Sequence, residues 1–248
     1  RRHAWNPKLS TRAGGIIWSL LTVLLVRKYI RTYGRPDLIH AHFGTWAGYA
    51  ARLVYKWYKI PYVITEHASS INGNQTTPSQ AVILKKAYSE ARKIICVGTK
   101  LKRSLCAYVS DPDKVTVIPN FVDTNTFAFS PHRTEKEKHF TFISIGNLNK
   151  RKGFWDLLTA FHWAFKDMPH VSLLIAGDGE EMQSLKEQIQ SLHLQEQVKL
   201  TGRLSREELS GLLATCDAFV LASFAETFGI VFIEAMATGL PAIGTVCG

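Results

Sequence analysis

Two carboxylates, Glu226 and Glu234, stand eight positions apart in ETFGIVFIEAMATG, residues 226–239, with Gly229 and an apolar run between them. On a continuous helix, eight residues advance about 12 Å and leave both side chains pointing the same general way. That is too far for a glycosidase acid–base pair, which needs about 5–10 Å, and for two ligands of one metal ion, which converge within about 2–2.6 Å of it. The spacing suits the two ends of one long ligand. A carboxylate accepts paired hydrogen bonds from adjacent hydroxyls, which sugars and ribose offer. A turn glutamate followed by a solvent-facing helix glutamate would give the same letters.

Other residues with chemical potential are sparser. The run NLNKRKG, residues 147–153, sets Arg151 and Lys152 where a solvated basic turn or an anion site would serve equally. His40 and His42 form an H-x-H that a strand would place on one face, but no third metal ligand lies nearby. The DPD at 111–113 reads as a turn, and AGDGEE at 176–181 lacks the full G-x-G-x-x-G of a dinucleotide site. Cys96, Cys106, Cys216 and Cys247 show no C-x-x-C, and three of them lie in apolar or helical contexts. Reduced thiols in a cytoplasmic compartment are the expectation.

The elements that must carry these residues alternate. DLIHAHF, PYVIT, KIICVG and KVTVIPN read as strands, with helices over 45–58, 80–92 and 99–109 between them. After a proline and a charge cluster at 124–139 the alternation restarts: HFTFISIG, VSLLIAGDG, QVKLTG, AFVLAS and PAIGT as strands, with helices over 152–166, 180–192, 205–214 and 229–238. Repeated β-α-β predicts two doubly wound α/β units with parallel sheets, here residues 1–130 and 140–248 joined by a linker at 131–139. Such units bind ligands beyond the carboxyl ends of their strands. AFVLAS ends at Ser223, and a helix beginning near Thr227 to Gly229 would aim free N–H groups at an anion, with Glu226 just ahead of that seat.

Composition limits the partners. The chain has 248 residues, 46% hydrophobic and 20% charged, enough for a full core. Its net charge of +10 is uneven: residues 1–130 hold 19 Lys and Arg against 6 Asp and Glu, whereas 131–248 hold 11 against 14. A basic first half favours an acidic partner, and an anionic membrane surface fits, while no nucleic-acid motif is present. IIWSLLTVLLV, residues 16–26, is shorter than the roughly 20 apolar residues that span a bilayer and predicts a largely buried or interfacial helix.

The stretch SFAETFGIVFIEAMATGLPAIGT resembles the signature of the retaining glycosyltransferases of group 1, family four, which have the GT-B fold. RPDLIHAHFGTWAGYAARLVYKWYKIPYVITEHAS, VTVIPNFVD, SIGNLNKRKGFWDLLTAF and LLIAGDGEEMQSLKEQI resemble family segments in the expected order, so the likeness covers about residues 35–247. It implies a GT-B pair of Rossmann-like domains facing across a cleft. The first would be on the acceptor side and the second would bind a nucleotide-diphospho-sugar. It also implies a chain cut at both ends, without an initiator Met, the opening strand and the closing segment.

By that resemblance Glu226 contacts the donor sugar, Glu234 the ribose, and the main chain at Thr227, Phe228, Gly229 and Ile230 the diphosphate. Lys152 matches the lysine that neutralises the donor phosphate, with Arg151 assisting. His67 matches the acceptor-side histidine, and Gly146, Gly177, Gly202 and Arg203 line the donor site; His42, at the cleft end of its strand, is placed for substrate contact, while His40 is read as packing. Many members have arginine where this chain has Asn147, so either Arg151 compensates or leaving-group stabilisation is weaker. The resemblance implies no cofactor and no metal, a glycan or glycolipid acceptor, surface-polysaccharide or lipopolysaccharide synthesis, and peripheral attachment inside the plasma membrane. Rival readings are a nucleotide-sugar 2-epimerase of the same fold and a non-enzymatic basic binding module.

Overall fold

β-branched runs of three to six residues form the strands, and the amphipathic runs between them form the crossovers that parallel pairing requires. The computed structural model describes residues 11–72, 76–129 and 139–247. The chain divides between Pro119 and Asn120 into two units.

In the first unit, helix α1 (Thr11–Tyr33) precedes β1 (Ile39–His42), a π-helical turn (Gly44–Gly48), α2 (Tyr49–Tyr58), β2 (Tyr62–Glu66), α3 (Ser69–Asn72), α4 (Pro78–Ser89), β3 (Lys93–Cys96), α5 (Thr99–Leu105) and β4 (Val115–Val117). The four strands pair in parallel in the order β1-β2-β3-β4. Ile64 and Ile94 are fully buried partners in adjacent strands. A capping box between Thr77 and Gln80, with proline at the first turn, fixes where α4 begins.

Of the two alternatives expected for helix α1, largely buried or interfacial, the first does not hold. Val23 packs with Val54 and Ile60, and Gly15 lies against the Trp46 ring, but Ile16, Ile17, Leu20, Leu21, Leu24 and Leu25 are exposed. Apolar residues occur all round this helix, so one packed stripe leaves the others uncovered. By length and composition the helix over Arg12–Tyr33 is long and apolar enough to cross a membrane, which the 11-residue apolar core alone is not.

The second unit contains β5 (Phe140–Ile145), a 3-10 turn (Lys150–Lys152), α6 (Phe154–Phe165), β6 (Val171–Ala176), α7 (Met182–Ser191), β7 (Val198–Gly202), α8 (Arg206–Leu213), β8 (Ala218–Leu221), α9 (Ile230–Ala237) and β9 (Ala242–Gly244). Its parallel sheet runs β7-β6-β5-β8-β9, so the order reverses between β5 and β8. That reversal is the switch point of a doubly wound sheet, and ligands of such sheets bind beyond the carboxyl ends of the strands there.

The division lies earlier than the expected boundary at 130. Phe127 is fully buried in the second unit's core with Ile143, Leu173 and Phe219, and Ser210 Oγ donates to Thr126 O at 2.5 Å. Residues 131–138, most of the expected linker at 131–139, lie outside the described residues.

Candidate functional site

The loops leaving β5 and β8 meet beyond the switch point. Gly153, with φ 65°, follows the turn that carries Arg151 and Lys152; a Cβ there would lie 2.1 Å from Ala222 O. Only glycine tolerates both that backbone and that approach. Phe224 N donates to Arg151 O at 2.9 Å, which locks the loops together. Lys152 runs its stem past Gly146, whose added Cβ would lie 3.5 Å from Lys152 Cε, and places Nζ 2.5 Å from Glu226 Oε1. Ser223 Oγ donates to the same oxygen at 2.8 Å. The structure therefore joins Lys152 and Glu226, 74 residues apart in the chain, in one nearly buried pair. Among the described residues the Arg151 guanidinium makes no ion pair.

Helix α9 begins at Ile230, one residue past the expected start near Thr227 to Gly229. Gly229, with φ 76°, occupies the N-cap in the left-handed conformation and no side chain caps the end. Glu226 thus lies in the preceding loop with half-buried Thr227 and Phe228, and the helical spacing does not apply between it and Glu234. Uncapped amides at the start of α9 present donors and the positive end of the helix dipole. Glu234, one turn inside, is buried, and its Oε1 accepts from Arg206 Nη2 at 3.1 Å. Burial pushes its pKa up, and the Arg206 guanidinium opposes that.

The glycines assigned to the donor side also converge. Gly146 N donates to Ala176 O at 3.0 Å and Gly177 N to Gly202 O at 2.9 Å. A Cβ at Gly177, φ 147°, would fall 1.8 Å from Gly146 O, so the strand ends can approach this closely only without a side chain. Beside them Asn147, Asp178 and Arg203 line a cavity of about 160 Å³. Leu148 N donates to Asp178 O at 2.9 Å, so AGDG ties the β5 and β6 loops together.

The histidines form their own group in the first unit. His42 Nδ1 lies 3.0 Å from His67 Nε2, so one ring donates to the other, and His40 Nε2 lies 2.7 Å from Thr65 Oγ1. The rings of His40 and His42 stack at 4.6 Å, and those of His42 and His67 at 5.3 Å. His40 therefore belongs to the same cluster as His42 and is not packing alone. Among the described residues no three His, Cys, Asp or Glu side chains converge as a metal site. Asp111 accepts from Asp113 N at 3.1 Å, as a turn does. Cys96 and Cys216 are buried, but Cys106 is exposed near the end of α5, contrary to the core expectation for a helical cysteine.

Burial first, and the neighbouring His42 second, lower the pKa of His67 and His40 below the ordinary 6.5. As pH falls through 6.5 the unfolded chain takes up protons that these folded rings resist. Their stabilisation is therefore complete above the ordinary value and declines from it towards the lowered folded values. Urea midpoints at about pH 7.5 and about pH 5.5 should show the decline in the wild type and a smaller one in a His40→Asn/His67→Asn variant. Equal declines would refute this assignment.

Three features were not visible in the letters. Arg206 pairs with Glu234, Ser223 buttresses Glu226, and Glu66 accepts hydrogen bonds from Gly44 N, His67 N, Ala68 N and Tyr88 OH. Each joins residues through the fold or through a loop whose path the sequence does not state.

Residues 3–126 match glycosyltransferase family 4 and residues 126–248 match glycosyl transferases group 1. The chain belongs to this glycosyltransferase family, and its two α/β units are of the GT-B class. It is 27% identical over 221 residues to N-acetyl-alpha-D-glucosaminyl L-malate synthase of Bacillus anthracis, covering 86% of this chain and 57% of that protein. Alpha-monoglucosyldiacylglycerol synthase of Streptococcus pneumoniae is 26% identical over 226 residues, covering 84% and 51%. Anabaena HepE, solved in complex with UDP-glucose, superposes with a TM-score of 0.76 at 25% identity over 90% of this chain and 64% of its own. The chain spans about half the length of the curated relatives it matches.

Proposed function

We propose that this chain carries the donor site and part of the acceptor side of a retaining, metal-independent glycosyltransferase that uses a nucleotide-diphospho-sugar. The Lys152–Glu226 pair at the switch point, followed by buried Glu234 on α9, is the observation that carries this reading. The pyrophosphate would lie over the amides at Ile230, the ribose against Glu234, and the sugar hydroxyls against Glu226. As the bond from the anomeric carbon to the phosphate oxygen breaks, its electron pair stays on the departing diphosphate, and Lys152 stabilises the charge gained there. The acceptor oxygen bonds to the same face of that carbon, and its proton passes to the departing phosphate oxygen. No side-chain base is required, and His67 orients the acceptor.

UDP-glucose bound to HepE and the diacylglycerol named in a relative support a sugar donor and a lipid-linked or glycan acceptor. The basic first half and the exposed apolar residues of α1 support a site on the anionic inner face of the plasma membrane, in surface-polysaccharide or lipopolysaccharide synthesis. A thermal-shift panel of UDP-, GDP-, ADP- and CDP-sugars tests the donor reading. A ligand at 100 times its Kd adds about 2.7 kcal/mol. One donor should raise Tm with EDTA present; no shift from any of them would end the proposal. Proton NMR of the product should show the donor's anomeric configuration kept, and an epimerised free donor would favour the isomerase instead.

A further inference from the structure

Arg206 occupies the first position of α8, where the helix dipole disfavours a cation. The next two residues, Glu207 and Glu208, are the acidic type that position prefers, and Ser205 with Glu208 completes a capping box. Arginine there does nothing for the helix. Its guanidinium instead lies 5.4 Å from the centre of the buried Phe127 ring and donates to Glu234 Oε1 at 3.1 Å. Its side chain is 60% exposed, whereas that of Glu234 is 9% exposed. Phe127 is held in turn by the bond from its N to Asp123 O and by the Thr126–Ser210 contact. A cation held over a fixed ring brings its donors to the carboxylate from the Phe127 side, which favours one carboxylate orientation.

We propose that Arg206 is a positioning residue for nucleotide recognition: held over the Phe127 ring, it orients the Glu234 carboxylate so that its remaining acceptor capacity is set for the two ribose hydroxyls. This rests on the reading of Glu234 as the ribose partner. Arg206 also opposes the rise that burial gives the Glu234 pKa, so its loss shifts that carboxyl further towards the protonated form, which offers fewer acceptor sites.

The test is a double-mutant cycle read by calorimetric Kd for UDP, GDP, ADP and CDP. Wild type, Arg206→Ala, Glu234→Gln and the double variant are compared from about pH 5.5 to about pH 8. Arg206→Ala should weaken the tightest of these nucleotides about tenfold, with the loss growing as pH falls, and should have no further effect in the Glu234→Gln background. Arg206→Lys should restore the flat pH profile but only part of the affinity. Arg206→Met keeps the stem on Phe127 and guards against a packing effect; it should behave like alanine. Equal losses with and without Glu234 would overturn the proposal, as would an unchanged Kd in Arg206→Ala. If Glu234→Gln itself leaves Kd unchanged, the ribose reading falls; if none of the four nucleotides binds, the donor site falls with it.

Discussion

Lys152→Ala is expected to lower kcat for sugar transfer by about 10²–10³-fold, the cost of removing one preorganised donor to developing charge. The expectation rests on where Nζ is held. The side chain is 11% exposed, its stem is confined beside Gly146, and Gly153 closes the loop onto Ala222. A cation so confined does not have to reorganise when the leaving group gains charge. It is paired with Glu226 in the present structure, so the proposed transfer would need the ammonium to serve the diphosphate while the carboxylate turns to the sugar hydroxyls. Because the two share this contact, the effects of Lys152→Ala and Glu226→Gln should be less than additive. Arg151→Ala should cost about tenfold more than Lys166→Ala, a surface control, if Arg151 supplies the charge that Asn147 does not. Steady-state donor turnover measures these four single variants and the Lys152→Ala/Glu226→Gln double variant. A harmless Arg151→Ala removes the compensation argument, and a harmless Lys152→Ala removes the mechanism.

Much of this site is local in sequence, and that part was legible. The β-α-β alternation is written in short β-branched runs and amphipathic runs, so every expected strand is present, most of them shortened at the ends. Glu226, Glu234 and the Gly229 break lie within nine residues, but the length read from their spacing assumed one continuous helix, and Glu226 lies in the loop ahead of it. What failed was information about distance. The Lys152–Glu226 and Arg206–Glu234 pairs span 74 and 28 residues and depend on the strand order β7-β6-β5-β8-β9, which no local pattern contains. The left-handed Gly229 shortened the expected helix, because a glycine at the N-cap reads the same as one inside the first turn. In α1 the apolar letters gave the helix but not its burial, since exposure depends on what packs against it.

Glu66 shows how a residue with no apparent chemistry can hold a site together, and its removal should have the largest effect on stability. It ends β2 fully buried and accepts from Gly44 N at 2.8 Å, His67 N at 2.9 Å, Ala68 N at 2.8 Å and Tyr88 OH at 2.6 Å. One side chain thereby fixes the backbone carrying His67, the start of the Gly44–Gly48 turn beyond His42, and helix α4 through Tyr88. Gly44 is glycine because a Cβ would meet the Tyr88 ring and hydroxyl within 2.7 Å. Burial and the Glu66 carboxylate both raise the Tyr88 pKa, so the phenol stays a donor throughout the useful pH range. Glu66→Ala leaves these donors facing a cavity, at about 1–3 kcal/mol for each that water does not reach, so a total loss above about 3 kcal/mol is expected. Glu66→Gln keeps the volume but turns an NH₂ group towards N–H and O–H donors, and should fall between alanine and wild type. Urea unfolding followed by circular dichroism measures the loss, with the transition of each unit fitted separately. A loss below about 1 kcal/mol in Glu66→Ala would mean that water or a shifted loop replaces the carboxylate. In that case the placement of His67 beside His42 would rest on their mutual hydrogen bond alone.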